Sequence, residues 1–164
     1  MNFAMWKKAL TVIPEVSKAE WDDLDVISKW LISTRAAVLV MTFISAALAG
    51  LFAWRDGSFN FASWFALVFG LIMAHASNNI FNDFTDYVRG VDKDNYYRNI
   101  YGAQPIASGL MTQRQHLTYF AVTGLLALVA GLYLVFKNSS DPVIWVLLGL
   151  GIFFVLFYTW PLKY

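Results

Sequence analysis

Residues 61–92 read FASWFALVFGLIMAHASNNIFNDFTDYVRGVD, an apolar run that passes without a break into asparagines and aspartates. The apolar part, Phe61 to Ile80, has the length a helix needs to cross a bilayer core, about 20 residues. Just beyond it, Asp83, Asp86, Asp92 and Asp94 crowd beside Asn78, Asn79 and Asn82. Like-charge repulsion and desolvation penalise such a cluster unless something cationic compensates, and a divalent metal would do so.

Outward from this junction the chain stays apolar. Of its 164 residues, 59% are hydrophobic and 14% charged, a departure from soluble globular proteins. Stretches 36–54, 117–136 and 143–160 are also near spanning length. The expected fold class is therefore all-α: a polytopic membrane helical bundle with four transmembrane helices at about 36–54, 61–80, 117–136 and 143–160. An interfacial amphipathic segment over 1–34 precedes it, and an Asp-rich loop over 81–116 interrupts it. The second span is the least clean, because His75, Ser77, Asn78 and Asn79 are expensive in lipid unless they face a cavity.

Charge orients the spans. Lys7, Lys8, Lys18, Lys29 and Arg35 precede the first; Arg89, Lys93, Arg98 and Arg114 lie between the second and third; Lys163 follows the fourth. The opposite side holds Arg55 and Lys137. This bias predicts an inner or cytoplasmic membrane protein with both termini and the Asp-rich loop in the cytoplasm. Trp30, Trp54, Trp64, Trp145 and Trp160 sit near span ends, as interfacial anchors do.

Cysteine is absent, which excludes disulfides, thiolate metal sites and thiol nucleophiles. The N-terminal stretch lacks a signal-peptide layout and is expected to be retained. Trp21, Leu24, Ile27, Trp30 and Leu31 are spaced for an amphipathic helix on the membrane surface. Asp56-Gly57-Ser58 marks a turn that makes spans one and two a hairpin, and Lys137 to Pro142 does the same for spans three and four. The loop between spans two and three is long and mixed in charge, and Tyr87, Tyr96, Tyr97, Tyr101 and Ile106 argue that it is ordered.

If the second helix continues past Asn79, then Asn79, Asp83 and Asp86 project from one face at i, i+4 and i+7, with Asn82 and Asp86 as a neighbouring pair. Two carboxylates three residues apart, with amide oxygens beside them, suit hard Mg2+ and leave positions for water and phosphate oxygens. Zinc fits poorly without cysteine or clustered histidine. The bland alternative is a solvated helix cap, which is the better reading for any one of these residues. The whole set at the end of a membrane span favours a site.

The segment Asn82-Asp83-Phe84-Thr85-Asp86-Tyr87-Val88-Arg89-Gly90-Val91-Asp92 resembles the first aspartate-rich motif of the UbiA superfamily of intramembrane prenyltransferases. Gln104-Pro105-Ile106-Ala107-Ser108-Gly109 resembles that family's R-P-x-x-S-G segment with Gln in place of Arg, and Tyr158-Thr159-Trp160-Pro161-Leu162-Lys163 resembles its Y-P-x-x-K pattern. The form D-Y-x-R-G-V-D is nearest to members that prenylate 1,4-dihydroxy-2-naphthoate in menaquinone biosynthesis.

This resemblance implies Mg2+-dependent transfer of an isoprenyl group from a prenyl diphosphate to an aromatic acceptor. It implies metal ligation by Asp83, Asp86, Asp92 and Asn79, with Asp83, Asp86 and Lys163 in catalysis. Diphosphate binding falls to Asn79, Asn82, Arg89, Lys93, Arg98 and Arg35. Its partners are the two substrates and the bilayer, and no nucleic acid is expected. The resemblance covers about the first half of a domain of about nine helices, so an incomplete cavity is expected, completed by further sequence or by a second polypeptide.

Several residues keep a plainer reading. Arg35 either faces the diphosphate or snorkels to the interface, the latter being the commoner role. His75 is read as a satisfied interhelical hydrogen bond rather than a base, and His116 as an interfacial cap. From a different class, the chain reads as a non-catalytic four-helix assembly module that associates through Ala46, Ala47 and Gly50. A cation-transporting bundle ranks last, because no carboxylate lies within the spans.

Overall fold

The computed structural model describes residues 1–90, 104–138 and 141–159. Three short helices come first: α1 (Phe3–Thr11), α2 (Lys18–Asp23) and α3 (Val26–Ser33). A 3-10 turn at Ala36–Val38 leads into α4 (Leu39–Arg55), then α5 (Phe61–Val88), α6 (Gln113–Lys137) and α7 (Pro142–Phe157). No strand occurs among the described residues. Three stretches, Ala36–Arg55, Phe61–Val88 and Gln113–Lys137, are long and apolar enough to cross a membrane, and α7 is a shorter apolar helix. Leu51, Phe65, Leu125, Val129, Val146 and Phe154 are exposed, and α7 buries no residue at all. Helices apolar on all sides and left uncovered belong in lipid, so this is a membrane helical bundle.

Helix α5 departs from the expected boundary, because the Asp-rich segment begins as helix rather than as loop. It runs on through residues 81–88, and only Arg89 and Gly90 end it. Nothing between Ile80 and Val88 breaks a helix, and Thr85 Oγ1 bonds back to Phe81 O at 2.8 Å. Gly90, at φ +69°, supplies the left-handed stop. At 28 residues α5 is about 42 Å long, against a hydrocarbon core of about 30 Å. One end must therefore leave the core, and composition makes it the C-terminal one.

Neighbouring helices alternate in direction around α5. At one end Asn60 caps α5 through Ser63 N at 3.0 Å and accepts from Lys137 Nζ of α6 at 2.7 Å. At the other end His116 of α6 reaches Ile80 O of α5 at 2.8 Å. Asn78 Nδ2 donates to Val155 O of α7 at 3.1 Å. The closest approaches use small residues, which let backbones meet where lipid supplies no hydrophobic drive. A Cβ on Gly124 would stand 3.1 Å from Ser77 Oγ, and one on Gly70 3.1 Å from the Ala130 Cβ.

Ala46 and Gly50, read above as a surface for self-association, are used within the chain. Trp64 of α5 lies across them, its Nε1 donating to Ala46 O at 3.0 Å. A Cβ on Gly50 would lie 2.3 Å from that same Nε1. Gly50→Ala must therefore expel the indole, and a chemical-denaturation titration in detergent should show a loss of about 1–3 kcal/mol.

The N-terminal segment is not one surface helix. It breaks at Leu24–Asp25, because Asp25 takes extended backbone and caps α3 through Ile27 N and Ser28 N, both at 3.0 Å. Trp21, Leu24, Leu31 and Ile32 from α2, α3 and their junction form one buried cluster with Ala76 of α5 and with Leu110 and Met111 of the connection before α6. Trp30 Nε1 donates to Thr123 Oγ1 of α6 at 2.9 Å, fixing α3 in place.

Asp25 also accepts from Asn2 N at 2.7 Å and Trp6 Nε1 at 3.1 Å, which ties α1 to α3. Desolvation pushes its carboxyl up, but the N–H groups of Ser28 and Asn2, the Ser28 hydroxyl and the Trp6 indole outweigh that and hold it well below the usual carboxylate range. A depressed folded-state value means this contribution is present above the ordinary value of 3.8 and is lost as pH falls towards the folded one. Limited proteolysis of α1 should therefore stay flat from pH 8 to about 5, and Asp25→Ala should expose α1 to cleavage across that whole range.

Candidate functional site

The polar end of α5 carries its asparagines and aspartates on a helix surface that faces protein rather than lipid. Asp83 and Asp86 are 4% and 1% exposed, among the most enclosed polar groups described. Charged groups so enclosed need compensation. Arg35 Nη2 donates to Asp83 Oδ1 in an ion pair whose arginine side chain is 26% exposed. Asn82 Nδ2 donates to Asp86 Oδ2 at 3.0 Å, the i, i+4 contact expected once the helix continues.

Asn79 adds a contact that the sequence did not suggest. Its Nδ2 donates to Thr34 O at 2.9 Å, across to the connection that carries Arg35. Because Thr34 O can only accept, the amide orientation is fixed and the Asn79 oxygen is left for acceptor work. Thus Asn79 and Asp83, one turn apart on α5, grip the backbone of Thr34 and the side chain of Arg35.

Arg35, Asn79, Asn82, Asp83 and Asp86 are brought together. Arg89 lies at the C-cap of α5, its N–H bonded to Thr85 O at 3.0 Å and its side chain exposed. Asp92, Lys93, Arg98 and Lys163 lie outside the described residues, as does Asp94.

His116, read as an interfacial cap, is instead fully buried, and its bond to Ile80 O fastens α6 to α5 one turn before Asp83. His75 takes the plainer role, its Nδ1 2.7 Å from Thr42 Oγ1 of α4. Neither Thr34 nor the His116 contact carried a sequence signal, since each relies on a main-chain oxygen of another element.

Gln104, at the Arg position of the R-P-x-x-S-G-like segment, opens a tight turn in which Ser108 N bonds to Gln104 O at 2.8 Å. Gln104, Pro105 and Ile106 are buried. The Gln104 Oε1 has no hydrogen-bond partner among the described residues, and the same holds for the Thr159 hydroxyl at the end of α7.

Two enclosed carboxylates, Asp83 paired with Arg35 and Asp86 bonded to Asn82, with amide oxygens on the adjacent turns, form an all-oxygen donor set. Such a set fits a hard divalent cation. Among the described residues no group of three or more His, Cys, Asp or Glu converges, and Asp92, a further expected ligand, lies outside them.

A groove of about 860 Å3 runs between α4, α5, α6 and α7, walled by Gly70, Ala127, Gly131, Leu148 and Gly151. It begins beside Asn60 and Lys137 and ends at Ser77, Phe120 and Val155. Ser77 is about 9 Å before Asp83 along the helix, and neither aspartate lines the groove.

The ion pair can be weighed directly. Arg35→Ala leaves the Asp83 carboxylate enclosed and should cost about 1–3 kcal/mol, less than a fully buried pair because the guanidinium is partly solvated. The double variant with Asp83→Ala should cost less than the sum of the singles in a denaturation cycle.

The model of the UbiA prenyltransferase family matches residues 43–164. No curated protein and no solved structure matches this chain.

Proposed function

The chain belongs to the UbiA prenyltransferase family, and from that premise we propose that it takes part in Mg2+-dependent transfer of an isoprenyl group from a prenyl diphosphate to an aromatic acceptor. The acceptor we favour is a quinone precursor of the 1,4-dihydroxy-2-naphthoate type. The observation that carries the reading is the enclosed Asp83–Asp86 pair at the end of a membrane helix, joined to Arg35.

In this reading Asp83 and Asp86, with the amide oxygens of Asn79 and Asn82, would hold Mg2+, and the ion would supply positive charge against the leaving diphosphate. The other roles belong to the chain itself. Arg35 supplies a planar guanidinium suited to bidentate contact with phosphate oxygens. Lys93, Arg98, Arg89 and Lys163 add positive charge from the same, cytoplasmic, side. Asn82 orients the Asp86 carboxylate through its 3.0 Å hydrogen bond. The apolar groove takes the isoprenyl tail and keeps water from the reacting carbon, its near end about two turns from Asp83.

Binding is the direct test. A tritiated prenyl diphosphate should bind the detergent-purified protein with Mg2+ and lose at least about tenfold in affinity in EDTA. Asp83→Ala with Asp86→Ala should reproduce that loss with Mg2+ present. Binding indifferent to both changes would falsify the reading.

A further inference from the structure

Arg35 is, among the described residues, the only non-glycine with positive φ, at φ 53° and ψ 55°. An L-residue holds this left-handed conformation only where its surroundings impose it. Here they do so from three sides. Arg35 N donates to Ile32 O at 3.0 Å, and Val38 N to Arg35 O at 2.9 Å. Asn79 of α5 holds the preceding carbonyl at 2.9 Å, and Asp83 holds the guanidinium. The connection between α3 and α4 is thereby set so that one cation lies on the carboxylate that the proposed function assigns to another.

We propose that Arg35 is the resident counter-cation of Asp83 and that it makes metal loading conditional on a diphosphate. Asn79 is its positioning residue. The proposal rests on the metal–diphosphate reading above and deepens it. A divalent ion arriving alone competes with the guanidinium for the Asp83 carboxylate, and taking its place separates an arginine side chain that is only 26% exposed from its Asp83 partner. A diphosphate arriving with the ion offers that guanidinium two oxygens in fork geometry, so the charge moves from carboxylate to phosphate without being stranded. Metal and diphosphate are then positively coupled through Arg35 in addition to their direct contact, and linkage requires the coupling to be the same in both directions.

The test uses Mn2+ as the metal probe and inorganic pyrophosphate as the anion. Free and bound Mn2+ are read by electron paramagnetic resonance on the detergent-purified full chain, with the Mn2+–pyrophosphate complex in solution subtracted. In the wild type, pyrophosphate should tighten Mn2+ binding. Arg35→Gln should bind Mn2+ alone about fivefold more tightly or better, and its pyrophosphate-induced tightening should shrink by a like factor. Arg35→Lys, which keeps the charge but not the fork, should hold Mn2+ alone as weakly as the wild type and restore the coupling only in part.

Phenylglyoxal labelling of Arg35 in the wild type, read by mass spectrometry, gives an answer independent of how the variants fold. Mn2+ alone should raise labelling, and Mn2+ with pyrophosphate should lower it below the metal-free level. Unchanged or weaker Mn2+ binding in a folded Arg35→Gln, or labelling indifferent to Mn2+, overturns the proposal while leaving the metal site standing. No Mn2+ binding by any form, with or without pyrophosphate, overturns the metal reading and this proposal together.

Discussion

A carboxylate enclosed at the end of a membrane helix has to be met by positive charge, and here Arg35 meets Asp83 from the connection between α3 and α4. Much of the polar end of the molecule follows from that need. Arg35 reaches Asp83 from a left-handed backbone that Asn79 helps to hold, so one turn of α5 sets both the acid and its counter-charge. Asp86, just beyond, is steadied by Asn82. Residues that look interchangeable along the sequence thus divide into two that carry charge and two that place it.

Helix α5 can serve this end because its other two-thirds are held by packing. Small residues bring α6 close along Gly70 and Gly124, while Asn60–Lys137 at one end and Ile80–His116 at the other close the contact with polar bonds. In a bilayer such bonds and close approaches replace the hydrophobic drive available in water. The N-terminal helices complete the enclosure. Trp21, Leu24, Leu31 and Ile32 share one buried apolar cluster with Ala76 and Met111, so this part of α5 is covered by protein rather than left to lipid.

The groove and the acidic end are adjacent without merging. The groove ends near the Ser77–Phe120 contact, and the aspartates begin about two turns further along. An apolar tail and a charged head placed end to end would match this order of surfaces. It is also the order written along α5, which turns from apolar to polar at Ser77.

The membrane class was legible in the sequence because hydrocarbon imposes a length and a polarity that composition must satisfy, and the apolar runs obey it. The face carrying Asn79, Asp83 and Asp86 was legible for a similar reason: helical spacing is a local property, and nothing up to Val88 breaks it. The end of α5 was left open, between a loop from residue 81 and a helix continuing past Asn79, because a helix emerging from lipid stays helical only if its new face is covered, and spacing does not show what covers it. Trp21 to Leu31 were read as one helix because amphipathic spacing cannot register a capping aspartate that breaks it. What only the tertiary structure decided are contacts whose partners lie far apart in sequence or on the main chain: Arg35 on Asp83, Asn79 on Thr34 O, His116 on Ile80 O. A sequence names the side chains that can donate, but which carbonyl or carboxylate stands within 3 Å of each is set by how the helices cross.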